Sequence, residues 1–365
     1  MSTTLEKLCA HGQSPWVDYL SRRFVRDGDL QALVDKGVRG LTSNPTIFRN
    51  AIAEGDAYDA QLRDLVRDDP DPKNVFLTLA GEDVRAACDI LRPVFDGGLH
   101  GWVSLEVDPR LAHDTEATIA EAVRLHALVD RPNLMVKIPG TTEGMPAIEE
   151  TIAAGIPVNV TLLFSLARHR EAATAYLRGL SRLVAAGGDP HTVGSVASFF
   201  VSRVDTEADR RLSDSVNSSG DDLLGTVGVA NARLAYQTYL EMFSGPEWDE
   251  LAAAGATPQW CLWASTSMKD PDRRDVFYVE QLIGPETVDT MPRETAEAFL
   301  DHGSVADTLA GALHARETLE RFAAASVDYD DVTATLEREG VEKFRASFQE
   351  LLDVIVHKRD ELLPA

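Results

Sequence analysis

The chain has 365 residues, enough for one large (β/α)₈ barrel with insertions or for two ordinary domains. Its formal net charge of −24 at pH 7 repels phosphate backbones and anionic lipid headgroups, so neither nucleic acid nor membrane is an expected partner. Three cysteines without metal-binding spacing, no apolar leader sequence and no membrane-length apolar run predict a cytoplasmic protein without disulfides.

Short apolar runs alternate with longer amphipathic stretches along the whole chain. We predict strands at residues 15–20, 40–42, 101–106, 134–138, 157–162, 193–198, 259–264 and 287–291. We predict helices between them at residues 84–94, 114–128, 166–185 and 230–243. Strands that alternate with helices predict right-handed βαβ units and a parallel sheet. Eight such units favour a closed (β/α)₈ TIM barrel over an open sheet.

The chain shows no Gly-, Ser- or Pro-rich linker and no internal repeat, so we interpret residues 1–365 as a single barrel domain. Residues 332–365 form a predicted C-terminal helical extension that covers one end of the barrel. The polar segment 204–228, with a loop at 217–222, is interpreted as a surface insertion.

Polar residues close nearly every predicted strand, although the strands are otherwise apolar. Chemistry in a barrel takes place at the C-terminal ends of the strands, where such residues converge. The residues concerned are Asp18, Thr42, Ser43, Asn44, Glu106, Lys137, Asn159, Thr161, Ser198 and Ser265 to Ser267.

Lys137 interrupts a continuous apolar strand. Burial disfavours the ammonium form of a lysine, and the neutral amine is a nucleophile. The alternative, equally weighted, is that the side chain reaches water or pairs structurally with Glu106. Glu106 and Asp18 are candidate acid–base groups, although each carboxylate taken alone is more often a buried ion-pair partner or a cap.

Several other polar residues also allow two interpretations. Asn44 before a proline is an ordinary turn residue, whereas Asn159 and Thr161, two apart, share the face of a strand that we expect inside the barrel. Arg203 and Lys269 are candidate phosphate anchors, and the alternative for Arg203 is a surface pair with Asp205.

Nothing in the sequence calls for a metal or a cofactor. The histidines are scattered, and no HxH or HExxH pattern indicates metal ligands. Neither GxGxxG after the first strand nor GxxxxGK[ST] is found, so no nucleotide site is expected.

Seven segments at or near strand ends carry a family resemblance over nearly the whole chain. They are Gly12 to Arg22, GLTSNPTIF (40–48), VSLEVDP (103–109), VKIPGT (136–141), NVTLLFS (159–165), ASFFVSRVD (197–205) and WASTS (263–267). In this order they resemble the longer bacterial transaldolases, which belong to the class I Schiff-base aldolases. The resemblance implies a (β/α)₈ barrel with the reactive lysine on the fourth strand, where our strand count also places Lys137.

The resemblance also implies catalytic roles for four residues. Lys137 attacks the ketose carbonyl to form an imine, and Asp18 removes the hydroxyl proton whose loss cleaves the carbon–carbon bond. Glu106 transfers protons through a water held with Thr161.

Further residues are implied in substrate binding. Asn44 and Asn159 hold the hydroxyls of the retained dihydroxyacetone unit, with Thr42 and Ser198 in supporting positions. Phe200 forms an aromatic wall. Arg203 and Ser265 match the phosphate site. Shorter family members have a second Arg where this chain has Ser267, and we expect Lys269 to supply that cation.

The implied reaction is that of the pentose phosphate pathway. A dihydroxyacetone unit passes from sedoheptulose 7-phosphate to glyceraldehyde 3-phosphate, which gives erythrose 4-phosphate and fructose 6-phosphate. One rival is an aldolase that uses the same lysine but releases free dihydroxyacetone. A second is a non-catalytic sugar-phosphate-binding protein. The expected partners are sugar phosphates, and a homodimer is left open.

Overall fold

Eight parallel strands close into a barrel in the computed structural model, which describes residues 2–68, 71–98, 100–214 and 222–363. Every strand pairs with its neighbour in sequence, and the eighth pairs with the first. The strands are β1 Gln13–Asp18, β2 Gly40–Thr42, β3 Trp102–Glu106, β4 Leu134–Pro139, β5 Val158–Leu163, β6 Ser195–Phe200, β7 Trp260–Ala264 and β8 Thr287–Met291. The predicted (β/α)₈ barrel is confirmed, with strand bounds shifted by up to two residues.

Helices surround the barrel and connect its strands. They are α1 Thr4–Ala10, α2 Arg22–Arg26, α3 Asp29–Asp35, α4 Pro45–Ala53, α5 Asp59–Asp68, α6 Pro72–Asp96, α7 Thr115–Val129, α8 Gly144–Ala153, α9 Leu166–Ala185, α10 Ser202–Asp214, α11 Val227–Met242, α12 Pro246–Ala253, α13 Phe277–Gln281, α14 Arg293–His302, α15 Ala312–Ala324 and α16 Tyr329–Leu362. Short 3₁₀ helices occupy Pro109–Leu111 and Pro190–Thr192. None of the helices in the described ranges combines the length and apolar character that a membrane crossing needs.

Apolar side chains fill the lower barrel interior and leave polar ones at the C-terminal end. Trp16, Met135, Val196 and Leu262 belong to one buried cluster in this interior. The Trp16 ring fits because a Cβ atom at Gly40 on the neighbouring strand would lie only 2.4 Å from it. Alternate residues of a strand point the same way, so the next inward position after Trp16 presents a polar group to the upper end.

The C-terminal helix α16 is capped at its N-terminus by Asp328, whose carboxylate accepts hydrogen bonds from the backbone N–H groups of Asp330 and Asp331. It packs closely against the end of β5, because a Cβ at Gly340 would lie 3.1 Å from a methyl carbon of Leu162. Leu162 has φ +59° at a register shift in β5, which turns the strand end toward the helix. The helix therefore passes over the end of the barrel where the polar residues converge.

The predicted surface insertion at residues 204–228 is wrong over most of its length. Its first part is helix α10, in which Val204, Ala208 and Leu212 are buried. Its last part begins helix α11. The polar residues misled the prediction because they occupy the outer face of an amphipathic helix. Residues 217–221 of the predicted loop lie outside the described residues.

Candidate active site

Lys137 points from β4 into the upper end of the barrel. It is paired in register with Glu106 on β3, and its Nζ atom lies 3.2 Å from a carboxylate oxygen of Glu106. The same Nζ donates a hydrogen bond of 3.3 Å to the carbonyl oxygen of Ser43. Both side chains are buried, so the lysine does not reach bulk water. Of the alternatives left open by the sequence, the structure shows the pair with Glu106, a geometry that is also compatible with a nucleophilic amine.

Two buried carboxyl groups interact electrostatically with this lysine, and burial raises the pKa of each. The pKa of Glu106 rises to about 7, because desolvation, with a contribution from nearby Asp18, outweighs the attraction of Lys137. Desolvation also raises the pKa of Asp18, against the opposing effects of Lys137, a hydrogen bond from Thr42, and Arg203. Carboxyl groups with raised pKa values beside a buried amine are suited to proton transfer near neutral pH.

Thr42 links Asp18 to the opposite side of the barrel. Its hydroxyl donates a hydrogen bond of 2.6 Å to Asp18 Oδ1 and lies 2.6 Å from the hydroxyl of Thr290. Thr290 was not among the candidates from the sequence. The hydroxyl pair fixes the position of the Asp18 carboxylate, and the supporting role of Thr42 stays a prediction.

Asn159 is held by hydrogen bonds on both sides of its amide. Ser198 donates to Asn159 Oδ1 at 2.6 Å, and Asn159 Nδ2 donates to the hydroxyl of Ser104 at 3.0 Å. These contacts fix the amide inside the barrel, as predicted. Thr161, two residues along the same strand, is fully buried, and its hydroxyl has no hydrogen-bond partner among the described residues. Such a group has both a donor and an acceptor free for substrate or water.

Asn44 has a local structural role, and its part in substrate binding stays a prediction. Its side-chain oxygen caps helix α4 by accepting a hydrogen bond of 3.0 Å from the backbone N–H of Ile47. Its amide nitrogen has no hydrogen bond to the described residues. A cavity of about 10 Å³ lies between Asn44, Ser43, Glu106 and Phe348. This volume is close to that of a single water.

Arg203 lies at the start of α10 and stacks on aromatic rings. Its guanidinium carbon is 5.1 Å from the centre of the Phe200 ring and 6.0 Å from that of Phe344. The predicted alternative, a surface pair with Asp205, is not found. Asp205 is buried and accepts hydrogen bonds from Gly228 N at 2.6 Å and from the hydroxyl of Tyr278 at 2.9 Å. Burial lowers the pKa of Arg203, and Asp18 is the charge that opposes this effect.

The residues after β7 lie beside the start of α10. Ser265 has φ +58°, and its hydroxyl is 2.8 Å from that of Ser202. The backbone N–H of Ser202 donates to the carbonyl of Ser265 at 3.1 Å. Lys269 is exposed and donates to the hydroxyl of Ser267 at 2.7 Å. The predicted phosphate-site residues thus lie on two adjacent segments.

The structure adds two residues from α16 that sequence reasoning missed. The ring centre of Phe344 lies 5.4 Å from Lys137 Nζ, so this ring forms part of the roof above the lysine. Lys343 precedes it, and Arg203, burial and Lys269, in that order, lower the pKa of Lys343. A lysine followed by a phenylalanine is an ordinary pattern for an amphipathic helix, so no sequence signal distinguished them.

Another cavity, of about 710 Å³, lies at the N-terminal end of the barrel, between residues such as His100, Trp102 and Trp260. None of the predicted site residues lines it. Among the described residues, no group of three or more His, Cys, Asp or Glu side chains is arranged to hold a metal ion.

The chain was compared with known protein families and proteins. The sequence model of the family described as Transaldolase/Fructose-6-phosphate aldolase matches residues 15–355. A transaldolase of Acidothermus cellulolyticus is 52% identical over 356 residues, which cover 96% of this chain and 95% of that protein. A transaldolase of Thermobifida fusca is 50% identical over 363 residues, with 98% of this chain and 99% of that protein covered. A transaldolase of Mycolicibacterium smegmatis is 49% identical over 354 residues, with 96% and 95% covered.

Proposed function

The chain belongs to the transaldolase/fructose-6-phosphate aldolase family, and on this premise we propose that it is a transaldolase of the pentose phosphate pathway. It transfers a dihydroxyacetone unit from sedoheptulose 7-phosphate to glyceraldehyde 3-phosphate, and the products are erythrose 4-phosphate and fructose 6-phosphate. The reaction proceeds through an imine on Lys137. The burial of this lysine, in contact with Glu106 and in electrostatic interaction with Asp18, is the observation that carries the proposal.

Imine formation begins with the neutral amine of Lys137. The amine attacks the ketose carbonyl, and the carbinolamine loses its oxygen as water after protonation by Glu106 in its acid form. A pKa of about 7 lets Glu106 give and accept a proton at neutral pH. The unpartnered hydroxyl of Thr161 holds the water that relays this proton and later hydrolyses the imine.

Carbon–carbon cleavage is assigned to Asp18. Its carboxylate takes the proton of the donor's C4 hydroxyl, the C3–C4 bond breaks, and the aldehyde departs while the bonding electrons move into the imine. The resulting enamine attacks the carbonyl carbon of the acceptor aldehyde, and Asp18 returns its proton to the new hydroxyl. The reverse of imine formation then releases the product. Lys137 provides the electron sink, so the cycle requires no metal or cofactor.

The retained three-carbon unit is held by Asn159 and Asn44, with Ser198 and Thr42 in support. Ser198 and Ser104 fix the amide of Asn159, which therefore faces the substrate with little freedom to rotate. The free amide nitrogen of Asn44 is a donor for a hydroxyl of the same unit. Such fixed donors lower the entropy lost on substrate binding.

The terminal phosphate is bound by Arg203, Ser265 and Lys269, with Phe200 as the wall of the site. Arg203 has no carboxylate of the described residues as an ion-pair partner, although the chain carries 59 acidic residues. A guanidinium that forms no ion pair with a carboxylate is suited to a phosphate dianion. The proposed groups all belong to one chain, so the mechanism fits a monomer as well as a homodimer. We place the enzyme in the cytoplasm.

The experiment that tests this function measures transfer with and without an acceptor. Purified enzyme is treated with EDTA and given fructose 6-phosphate, with or without erythrose 4-phosphate. Formation of sedoheptulose 7-phosphate that depends on the acceptor supports the proposal. Rapid release of free dihydroxyacetone without an acceptor identifies the aldolase instead. Activity that is lost with EDTA and restored by a divalent metal contradicts the mechanism.

A further inference from the structure

Helix α16 brings a charged residue and an aromatic residue to the mouth of the site. Phe344 lies 5.4 Å from Lys137 Nζ and 6.0 Å from the guanidinium carbon of Arg203, so it contacts both the imine position and the phosphate position. Close packing at Gly340, one helical turn earlier, keeps the helix against the end of β5. Because the helix is held in place, Lys343, the residue before Phe344, lies at the outer edge of the site, here called the rim.

Three cations come from separate elements at this end of the barrel: Arg203 at the start of α10, Lys269 after β7 and Lys343 on α16. Arg203 and Lys269 both lower the pKa of Lys343, which shows that their charges act on it, and Arg203 is the larger cause. Among the described residues, Lys269 donates its only hydrogen bond to the hydroxyl of Ser267. Lys343 is exposed and has no ion-pair or hydrogen-bond partner among these residues. Like charges held together raise the free energy of the unliganded state, which a bound anion relieves.

Several other arginines on the surface are paired with carboxylates. Arg182, Arg210 and Arg321 each contact at least one carboxylate group within 3.1 Å. In a chain of net charge −24, three cations that form no ion pair with a carboxylate of the described residues are suited to bind a multiply charged anion.

We infer that Lys343 on the C-terminal helix binds the substrate phosphate. It supplies a positive charge that Ser267, which stands where shorter family members have an arginine, does not provide. The assignment rests on the proposed function and adds a residue to its phosphate site. The ligand is a terminal phosphate monoester, whose three outer oxygens can accept hydrogen bonds from Arg203, Lys269 and Lys343 together.

Phosphate binding at Lys343 also affects Phe344, the ring that covers Lys137. Lys343 and Phe344 are adjacent, so a phosphate that holds Lys343 also holds the Phe344 ring above Lys137. Binding energy from a remote phosphate then acts at the reacting carbon. Phosphorylated donors should gain in kcat as well as in affinity over their unphosphorylated counterparts.

The test replaces Lys343 by glutamine and, as a matched control, the exposed Lys36 by glutamine. Both variants lose one positive charge, but Lys36 lies beside α1 at the N-terminal side of the barrel, where the hydroxyl of Thr3 contacts its carbonyl. KM and kcat are measured with fructose 6-phosphate, and the inhibition constant is measured with inorganic phosphate. Imine formation with unphosphorylated dihydroxyacetone is followed by borohydride trapping.

For Lys343→Gln, the KM for fructose 6-phosphate and the inhibition constant for phosphate should each rise about 10-fold, the size of one charge-assisted hydrogen bond. Trapping with dihydroxyacetone should stay at the wild-type level, and Lys343→Arg should recover most of the affinity. Unchanged constants in Lys343→Gln, or an equal rise in Lys36→Gln, would overturn the assignment alone. Absence of both imine and transfer in the wild-type enzyme would overturn the proposed function, and the assignment with it.

Discussion

The Nζ atom of Lys137 lies 3.2 Å from a carboxylate oxygen of Glu106, its register partner on the neighbouring strand. Both side chains are buried, and they lie within the distance over which a proton can pass directly between them. Because burial raises the pKa of Glu106 to about 7, the carboxylate can accept the proton and leave a neutral amine. This relationship explains how a buried lysine becomes nucleophilic without a metal.

The first prediction concerns the pH dependence of activity. Glu106 must be ionised to take the proton of Lys137, so kcat/KM should rise with pH through about 7 and then level off. Glu106→Gln should remove this rise and lower kcat about 100-fold, the usual contribution of one acid–base group. The measurement is kcat/KM from pH 5.5 to 8.5, with Glu54→Gln, an exposed position, as the control. A variant that keeps both the rise and its midpoint would rule out this role for Glu106.

A second prediction separates catalysis from stability at Thr161. Its buried hydroxyl has no partner among the described residues, so Thr161→Val should leave the free energy of unfolding unchanged or raise it by about 1 kcal/mol. The loss of the water contact should lower kcat about 10-fold, the equivalent of one hydrogen bond.

Ser198→Ala is the matched variant, because the Ser198 hydroxyl has a protein partner in Asn159. Its free energy of unfolding should fall by about 1 kcal/mol. Urea unfolding and steady-state kinetics are measured on both variants. If Thr161→Val loses more than about 2 kcal/mol of stability while kcat stays at the wild-type value, the hydroxyl is structural.

The phosphate site gives a third prediction. Arg203→Gln should raise the KM for fructose 6-phosphate by about 10- to 100-fold, because it removes hydrogen bonds from a charged donor. Imine trapping with unphosphorylated dihydroxyacetone should be little affected. Arg210→Gln, on the same helix but paired with Glu207 on the surface, is the control. Equal losses with phosphorylated and unphosphorylated substrates would contradict a phosphate role for Arg203.

A fourth prediction concerns stability and Asp289 on β8. This carboxyl is fully buried, its only hydrogen bond within the described part of the chain comes from Thr266, and burial raises its pKa from about 3.8 to about 7. The folded protein therefore binds this proton more tightly than the unfolded chain does. The stability from the protonated form is fully present below about pH 4 and is lost as the pH rises to about 7.

Asp289→Asn should remove this loss, since an amide carries no charge to desolvate. The free energy of unfolding of the variant should exceed that of wild type by about 1 kcal/mol at pH 5 and by about 4 kcal/mol at pH 8. Both are measured by urea titration. Asp27→Asn, at an exposed position at the end of helix α2, serves as the control. A stability difference that does not change with pH would show that Asp289 ionises normally in the folded protein.

Much of the site could be predicted because strand geometry is periodic. Once eight strands are assigned, the inward positions near their C-terminal ends follow from the two-residue alternation, and Asp18, Glu106 and Thr161 all occupy such positions. Their mutual distances could not be predicted, because the register between strands is set by packing around side chains such as Trp16.

The residues contributed by α16 were not predictable for a different reason. Lys343 and Phe344 follow the last strand by more than forty residues, and only the path of the helix over the barrel brings them to Lys137 and Arg203. In the periodic pattern of an amphipathic helix, Lys343 is one of many exposed positions and Phe344 is one of many buried positions. The same ambiguity made the outer face of α10 resemble a loop insertion.

The most direct test of the account is to find the lysine that forms the imine. The protein is mixed with fructose 6-phosphate, reduced with borohydride and digested, and the modified peptide is identified by mass spectrometry. The account predicts an adduct of dihydroxyacetone size on Lys137, which is absent from folded Lys137→Ala. An adduct on a different lysine, or an unmodified protein under conditions that modify the Thermobifida fusca transaldolase, would contradict it.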